Sequence, residues 1–261
     1  MQHAWMLQLA LIDAKGRKPP YGNQRGLSLV EMAVALFVIG LIMLITMQSK
    51  NVIEQYRQTQ FTNQVRALKS NLHAFRNLHG RWPGDCNQDG LIDYRLLTTE
   101  AATELDYQAA TTFIPAASSD ADYTLGTVCP EGSLEPYAKL NIAFNELKLS
   151  GQSPAAQPNR ISAANTLGGV AVFGSFGTTL TAPDTLENRF NAVLLTGVSI
   201  TSARKLAVSI DGFDGSAANV GRVRRAATPN TFAALWSTDG EAGDKKITVV
   251  VFFDRIPPTN P

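Results

Sequence analysis

Between positions 85 and 93 the chain reads Asp-Cys-Asn-Gln-Asp-Gly-Leu-Ile-Asp, a run whose residue types and spacing could hold a metal ion. Asp85, Asn87 and Asp89 place oxygen ligands at alternate positions, Gly90 permits a sharp turn, and Asp93 adds a further carboxylate. Oxygen ligands in this order match the opening half of a calcium loop. The match is partial, because Leu96 stands where a twelve-residue loop places its bidentate glutamate. A turn in which Asp and Asn side chains bond their own backbone accounts for the same residues. Calcium and a bare turn are therefore both open. Asp211 and Asp214, in a second Asp-Gly stretch, read more simply as a surface turn than as cation ligands.

A different chemistry is posed by Glu31. It is the single charge in the run Leu27 to Met47, LSLVEMAVALFVIGLIMLITM. A charged residue at the centre of a membrane helix costs about 2.5 to 3.5 kcal/mol on insertion scales, and less near an end. Such an acid either reaches back to the headgroups, takes up a proton, or finds a cation supplied from elsewhere.

Catalytic patterns are missing. The sequence holds no HExxH, no phosphate-binding loop with its lysine and no GxSxG elbow. Of its three histidines, His3 precedes the apolar run, and His73 and His79 are six apart, which does not put two metal ligands on one helix face. No enzymatic activity is expected. Nor is a nucleic-acid partner, since the net charge is +1 and the basic residues form no long run.

The elements that position these residues follow from hydropathy. At ~1.5 Å per residue, Leu27 to Met47 spans roughly 31 Å as a helix, the thickness of a bilayer's hydrocarbon core. Lys15, Arg17, Lys18 and Arg25 precede it, while Lys50 and Arg57 follow, so the positive-inside bias places the N-terminus in the cytoplasm and the remainder outside. No small-x-small site follows the apolar run, which disfavours conventional signal cleavage. Beyond it, Phe61, Val65, Leu68, Leu72 and Phe75 recur at spacings of four and three, one stripe on a helix. A continuous helix from 27 to 79 is predicted, ended by Gly80 and Pro83.

Strands are predicted at 169–176, 192–200 and 247–253, rich in Val, Ile and Phe, and a loop at 151–166. The architecture expected is α+β: a long helix, membrane-spanning then amphipathic, packed on an antiparallel sheet. If the part after the apolar run is exported, Cys86 and Cys129 can form a disulfide, and its loop of roughly 40 residues would contribute about 4 kcal/mol. In a reducing compartment they stay thiols.

Gly26-Leu27-Ser28-Leu29-Val30-Glu31-Met32 resembles the prepilin processing signature of type IV pilins and type II secretion pseudopilins. Glycine precedes the cut, an apolar residue begins the mature chain, and glutamate is fifth. Leu27 replaces the commoner phenylalanine, and Gln48 stands where many members carry proline. The resemblance implies a structural filament subunit of pilin-like fold. A prepilin peptidase would cut after Gly26 and methylate the new amine of Leu27, and Glu31 would pair with the first residue of a neighbouring subunit.

It further implies a leader at 1–26, a stem helix at 27–79 crossing the membrane over 27–47, and an exported domain at 80–261. The implied partners are other pilin or pseudopilin subunits, an inner-membrane assembly platform and membrane lipid. The implied location is the bacterial inner membrane with the domain in the periplasm, then a pilus or periplasmic pseudopilus. Residues 81–93, 144–151 and 206–224 resemble stretches of a subgroup of prepilin-like proteins. A signal-anchored exported domain with an unrecognised binding or catalytic role is the alternative.

Overall fold

The computed structural model describes residues 28–96, 128–130, 140–154, 157–177, 188–212, 217–227, 231–238 and 240–258, with the backbone alone at 46–48, 50 and 51. By its contacts the chain divides into two units, Met1–Asn51 and Val52–Pro261. One helix of 51 residues, α1 (Leu29–His79), supplies residues to both.

In the first unit the described part of the helix is preceded by Ser28, a residue able to cap it, and Leu27 lies outside the described residues. Its described side chains from Leu29 to Ile45 are all exposed, among them Leu36, Phe37 and Leu44. A helix apolar on every face has nothing of its own to pack against and suits a non-aqueous or protein surround. Among the described residues no helix is long and apolar enough to cross a membrane. Of the span expected over 27–47, Leu27 and the side chains at 46–48 lie outside the described residues.

In the second unit the stripe does what its spacing demands. Phe61, Val65, Leu72 and Phe75 are buried, with Leu68 packed against them, in one core with the sheet. Gly80, at φ +74°, ends α1 in the left-handed conformation, and its N–H donates to Arg76 O at 2.8 Å. Two short helices follow, α2 (Leu140–Leu149) and α3 (Asn159–Ala163), the latter inside the stretch expected to be loop. The sheet comprises β1 (Ala171–Gly177), β2 (Arg189–Ser199), β3 (Val223–Ala227), β4 (Thr231–Phe232) and β5 (Lys246–Phe252). A further helix, α4 (Ile200–Asp211), leaves β2 directly, its first turn capped by the Ser199 side chain, which accepts from Ser202 N–H.

The strand order is β1-β2-β5-β3-β4, and every pairing is antiparallel. Four successive residues of β2, Ala192 to Leu195, are buried, as are Val249 to Phe252 of β5. Side chains alternate between faces along a strand, so both faces of the central pair are covered. That is why these strands read as continuous apolar runs rather than alternating ones. The fold is α+β, a helix packed on a five-stranded antiparallel sheet, as expected from the sequence.

The segment after the acidic run docks on the free side of β1. Leu96 N–H donates to Ser175 O at 2.9 Å and Ser175 N–H donates to Tyr94 O at 2.8 Å, a short parallel bridge. Gly174 makes room for it: a Cβ there would stand 2.5 Å from Tyr94 O and 2.8 Å from Leu96 Cγ. Gly174→Ala should therefore lower stability by about 1 to 3 kcal/mol, the range for overpacking. The thermal unfolding midpoint reads this, and a wild-type midpoint would mean that residues 94–96 do not pack on β1 in this way.

Candidate functional site

Two places gather polar groups of functional interest. The first is the start of α1. Ser28 N–H donates to Glu31 Oε2 at 2.8 Å, and Glu31 N–H donates to Ser28 Oγ at 3.2 Å. This reciprocal pair is a capping box: serine at the cap and glutamate three residues on each satisfy a backbone donor that the first turn leaves open. The Ser-x-x-Glu spacing stands in the sequence, but the processing signature overlies it. Gly26 and Leu27 lie outside the described residues.

The second place is the turn that follows α1. Trp82 is buried, its ring edge-on to Phe253 and His73 at centroid separations of 5.0 and 5.2 Å, with the Arg76 guanidinium 4.5 Å from its centre. Burial lowers the pKa of His73, and the nearby Lys69 adds to the effect. His79 instead faces Phe75.

Arg81 turns toward α2 and forms a two-pronged ion pair with Glu146, Nη1 to Oε2 at 2.8 Å and Nη2 to Oε1 at 2.6 Å. The Glu146 carboxylate also accepts from Gly84 N–H at 2.8 Å and from Cys129 N–H at 3.3 Å. The hydrogen bond to Glu146 raises the Arg81 pKa against the opposing effect of burial. Sequence reasoning did not pair these residues, and 65 positions separate them.

In helix α2, Asn141, Asn145, Glu146 and Lys148 are buried along with its apolar residues. Their polar atoms find partners inside. Asn159 Nδ2 donates to Asn141 Oδ1 at 2.7 Å and to Asn145 Oδ1 at 3.0 Å, and Lys148 Nζ donates to Asn159 Oδ1. Buried polar groups are tolerated when so satisfied.

Between these supports lies the acidic run. Asp93 N–H donates to Gly84 O at 2.9 Å, closing the loop at its base. Asp85 and Asp93 are buried, while Asp89 is exposed. One oxygen from each of Asp85, Asp89 and Asp93 lies within 4.8 Å of the others. Asn87 stands beside them, its Oδ1 accepting from Asp89 N–H at 3.2 Å and its Nδ2 donating to Asp89 Oδ2 at 3.0 Å. Gly90 N–H donates to Asp85 Oδ2 at 3.1 Å, Leu91 N–H to Asp89 Oδ1 at 2.8 Å, and Cys86 N–H to Asp93 Oδ2 at 3.2 Å. Gly90, at φ +87°, and Gln88, at φ +60°, supply the left-handed turns.

The loop is tied down from both sides. Cys86 forms a disulfide with Cys129, their Cα atoms 4.9 Å apart. Buried Asn191 of β2 accepts from Ile92 N–H at 2.8 Å and donates to Gly90 O at 2.8 Å.

Other polar groups are occupied structurally. Both oxygens of Asp211 accept backbone N–H groups, from Arg222 at 2.8 Å and Val223 at 3.1 Å, fastening the end of α4 to the start of β3; Asp214 lies outside the described residues. A groove of about 440 Å³ beside α4 is lined in part by Glu241. Hydrogen bonds from Arg225, then from Lys245 and Thr238 N–H, hold its carboxyl well below the usual range.

Two outcomes test this geometry. Glu146→Ala would take from the half-buried Arg81 guanidinium its two-pronged partner and leave two backbone donors unpaired, so it should cost about 2 to 4 kcal/mol, somewhat less than one partner of a fully buried ion pair. A thermal midpoint close to wild type would remove the ion pair from its place in the fold.

The second concerns Asp85, which burial, followed by the charges of Asp89 and Asp93, pushes up from 3.8 to about 6. A folded-state pKa above the unfolded value means stability that is present below about pH 3.8 and lost as pH rises through about 6. With chelator present, Asp85→Asn should therefore gain on the wild type between about pH 4 and about pH 7. An unfolding-midpoint difference that stays constant across that window would contradict the shift.

Residues 21–47 match the family model for the prokaryotic N-terminal methylation motif. The matched segment contains Gly26, Leu27 and Glu31 and ends inside α1. No curated protein and no solved structure matches the chain.

Proposed function

We propose that the chain is a structural subunit of a type IV pilus or a secretion pseudopilus. The observation that carries this reading is the methylation motif at 21–47, leading without interruption into a helix of 51 residues. The exposed apolar face from Leu29 to Ile45 supports a role in which lipid covers the helix first and neighbouring subunits cover it afterwards. Residues 27–47 are the inner-membrane anchor, and residues 80–261 are the exported domain. Prepilin peptidase cuts after Gly26 and methylates Leu27, and an assembly platform extracts the subunit. The disulfide suits an oxidising compartment outside the cytoplasm.

The capping box adds a physical detail. Before processing, the Glu31 carboxylate is already engaged by Ser28 N–H, which lessens the cost of placing it beside apolar residues. Cleavage creates an ammonium at Leu27, and a neighbouring subunit's ammonium is the proposed partner of Glu31 in the filament. A charge-assisted bond of that kind is stronger than one to a neutral amide.

Mass spectrometry of the chain from cells with active prepilin peptidase should show a terminus at Leu27 carrying one methyl group. Glu31→Val should be processed normally yet enter filaments at less than about a tenth of the wild-type level. A chain that keeps Met1 favours the signal-anchored alternative, and normal filament entry of the variant would refute the ion pair.

A further inference from the structure

We infer that the loop from Asp85 to Asp93 is a binding site for one calcium ion, held by the carboxylates of Asp85, Asp89 and Asp93 and the amide oxygen of Asn87. The acidic cluster alone would not carry this. The observation that does is Asp85 Oδ1, an oxygen buried with its residue and lacking any hydrogen-bond donor. Its sister oxygen accepts from Gly90 N–H, so the carboxylate is oriented and one lone-pair-bearing atom is left over in the interior. A buried acceptor in that condition costs stability unless a cation or donor meets it.

The donor set selects the ion. All candidate ligands are oxygens, and both cysteines are locked in a disulfide, so thiolate-seeking metals find no ligand there. Two oxygens bound to one calcium at about 2.4 Å are at most about 4.8 Å apart. The three carboxylate oxygens lie within 4.8 Å of one another, so one calcium ion can meet all three after shifts of no more than about half an ångström. Magnesium, at about 2.0 to 2.1 Å with strict octahedral demands, accepts a spread of no more than about 4.2 Å and gives up its waters reluctantly.

Arg81 gives both prongs of its guanidinium to Glu146. Leu96, at the twelfth position, is buried in the core and contributes no ligand, so affinity falls toward the 10⁻⁴ to 10⁻³ M range of extracellular calcium modules. This inference stands independently of the filament reading, since it rests on the loop alone.

The test is calorimetric titration of CaCl₂ into the full chain in detergent after EDTA treatment, with thermal unfolding followed in parallel. One calcium should bind per chain, the midpoint should rise with calcium concentration, and MgCl₂ should bind at least tenfold more weakly. Asp89→Asn is the variant of choice, because Asp89 is exposed and Asn keeps the acceptor for Leu91 N–H. It should weaken calcium binding at least tenfold while unfolding in EDTA at the wild-type midpoint or above. Glu241→Gln, at a distant acidic group, should bind as wild type.

The inference is overturned by any one of three results: a wild-type chain that shows neither heat nor a midpoint shift up to about 10 mM calcium, wild-type affinity in Asp89→Asn, or an equal response to magnesium.

Discussion

A single buried carboxylate, Glu146, fixes the route of the chain where it leaves the long helix. It accepts both prongs of Arg81, the N–H of Gly84 and the N–H of Cys129. These donors come from the turn after α1 and from the half of the disulfide that lies far along the sequence. Taking the two charges out of water is costly, and the geometry repays it only because every lone pair that faces inward is used. With the ion pair in place, α2 is held with Phe144 against Phe173 of β1 at 4.6 Å, and the acidic loop is suspended between helix and sheet. The loop's shape thus depends on what is buried around it as well as on its own turns.

At the other end of the chain a second acid is held by a lighter arrangement. Glu31 and Ser28 satisfy one another's backbone on the exposed surface of the first turn. Such a bond is worth little in water and can be exchanged for a stronger one without unfolding anything. The two glutamates therefore represent opposite uses of the same group. Glu146 is enclosed and immovable, whereas Glu31 remains available to a new partner.

What the sequence disclosed depended on whether a pattern was local. The stripe Phe61 to Phe75 announced its buried face, and the apolar runs of β1, β2 and β5 announced buried strands. By contrast, β3 begins Val-Arg-Arg-Ala-Ala and looks unlike a strand. Arg224 is nonetheless buried, donating to Gly221, Pro257 and Pro258 carbonyls and resting over Phe232 and Phe252. Burial lowers its pKa to about 10, with Asp211 opposing the shift. A charge that satisfies itself through distant carbonyls leaves no signature in its own neighbourhood. The same holds for α3, which exists because Asn159 meets the amides of α2. The acidic loop was legible as a candidate because its residues are contiguous, while the oxygen left over inside it could be seen only with the fold in hand.

The bridge between residues 94–96 and Ser175 has a bearing on how copies of this molecule can associate. Together with the contact of Ala164 on Val170, it covers the outer margin of β1, where unpaired amides would otherwise invite another chain's backbone. At the opposite margin, among the described residues, β4 offers only Thr231 and Phe232. Fibres of the cross-β kind, knit by amide ladders running from molecule to molecule, have little purchase on such a sheet. A polymer of these units would cohere through interdigitating hydrocarbon instead, so surfactant should take it apart with each monomer's sheet still intact.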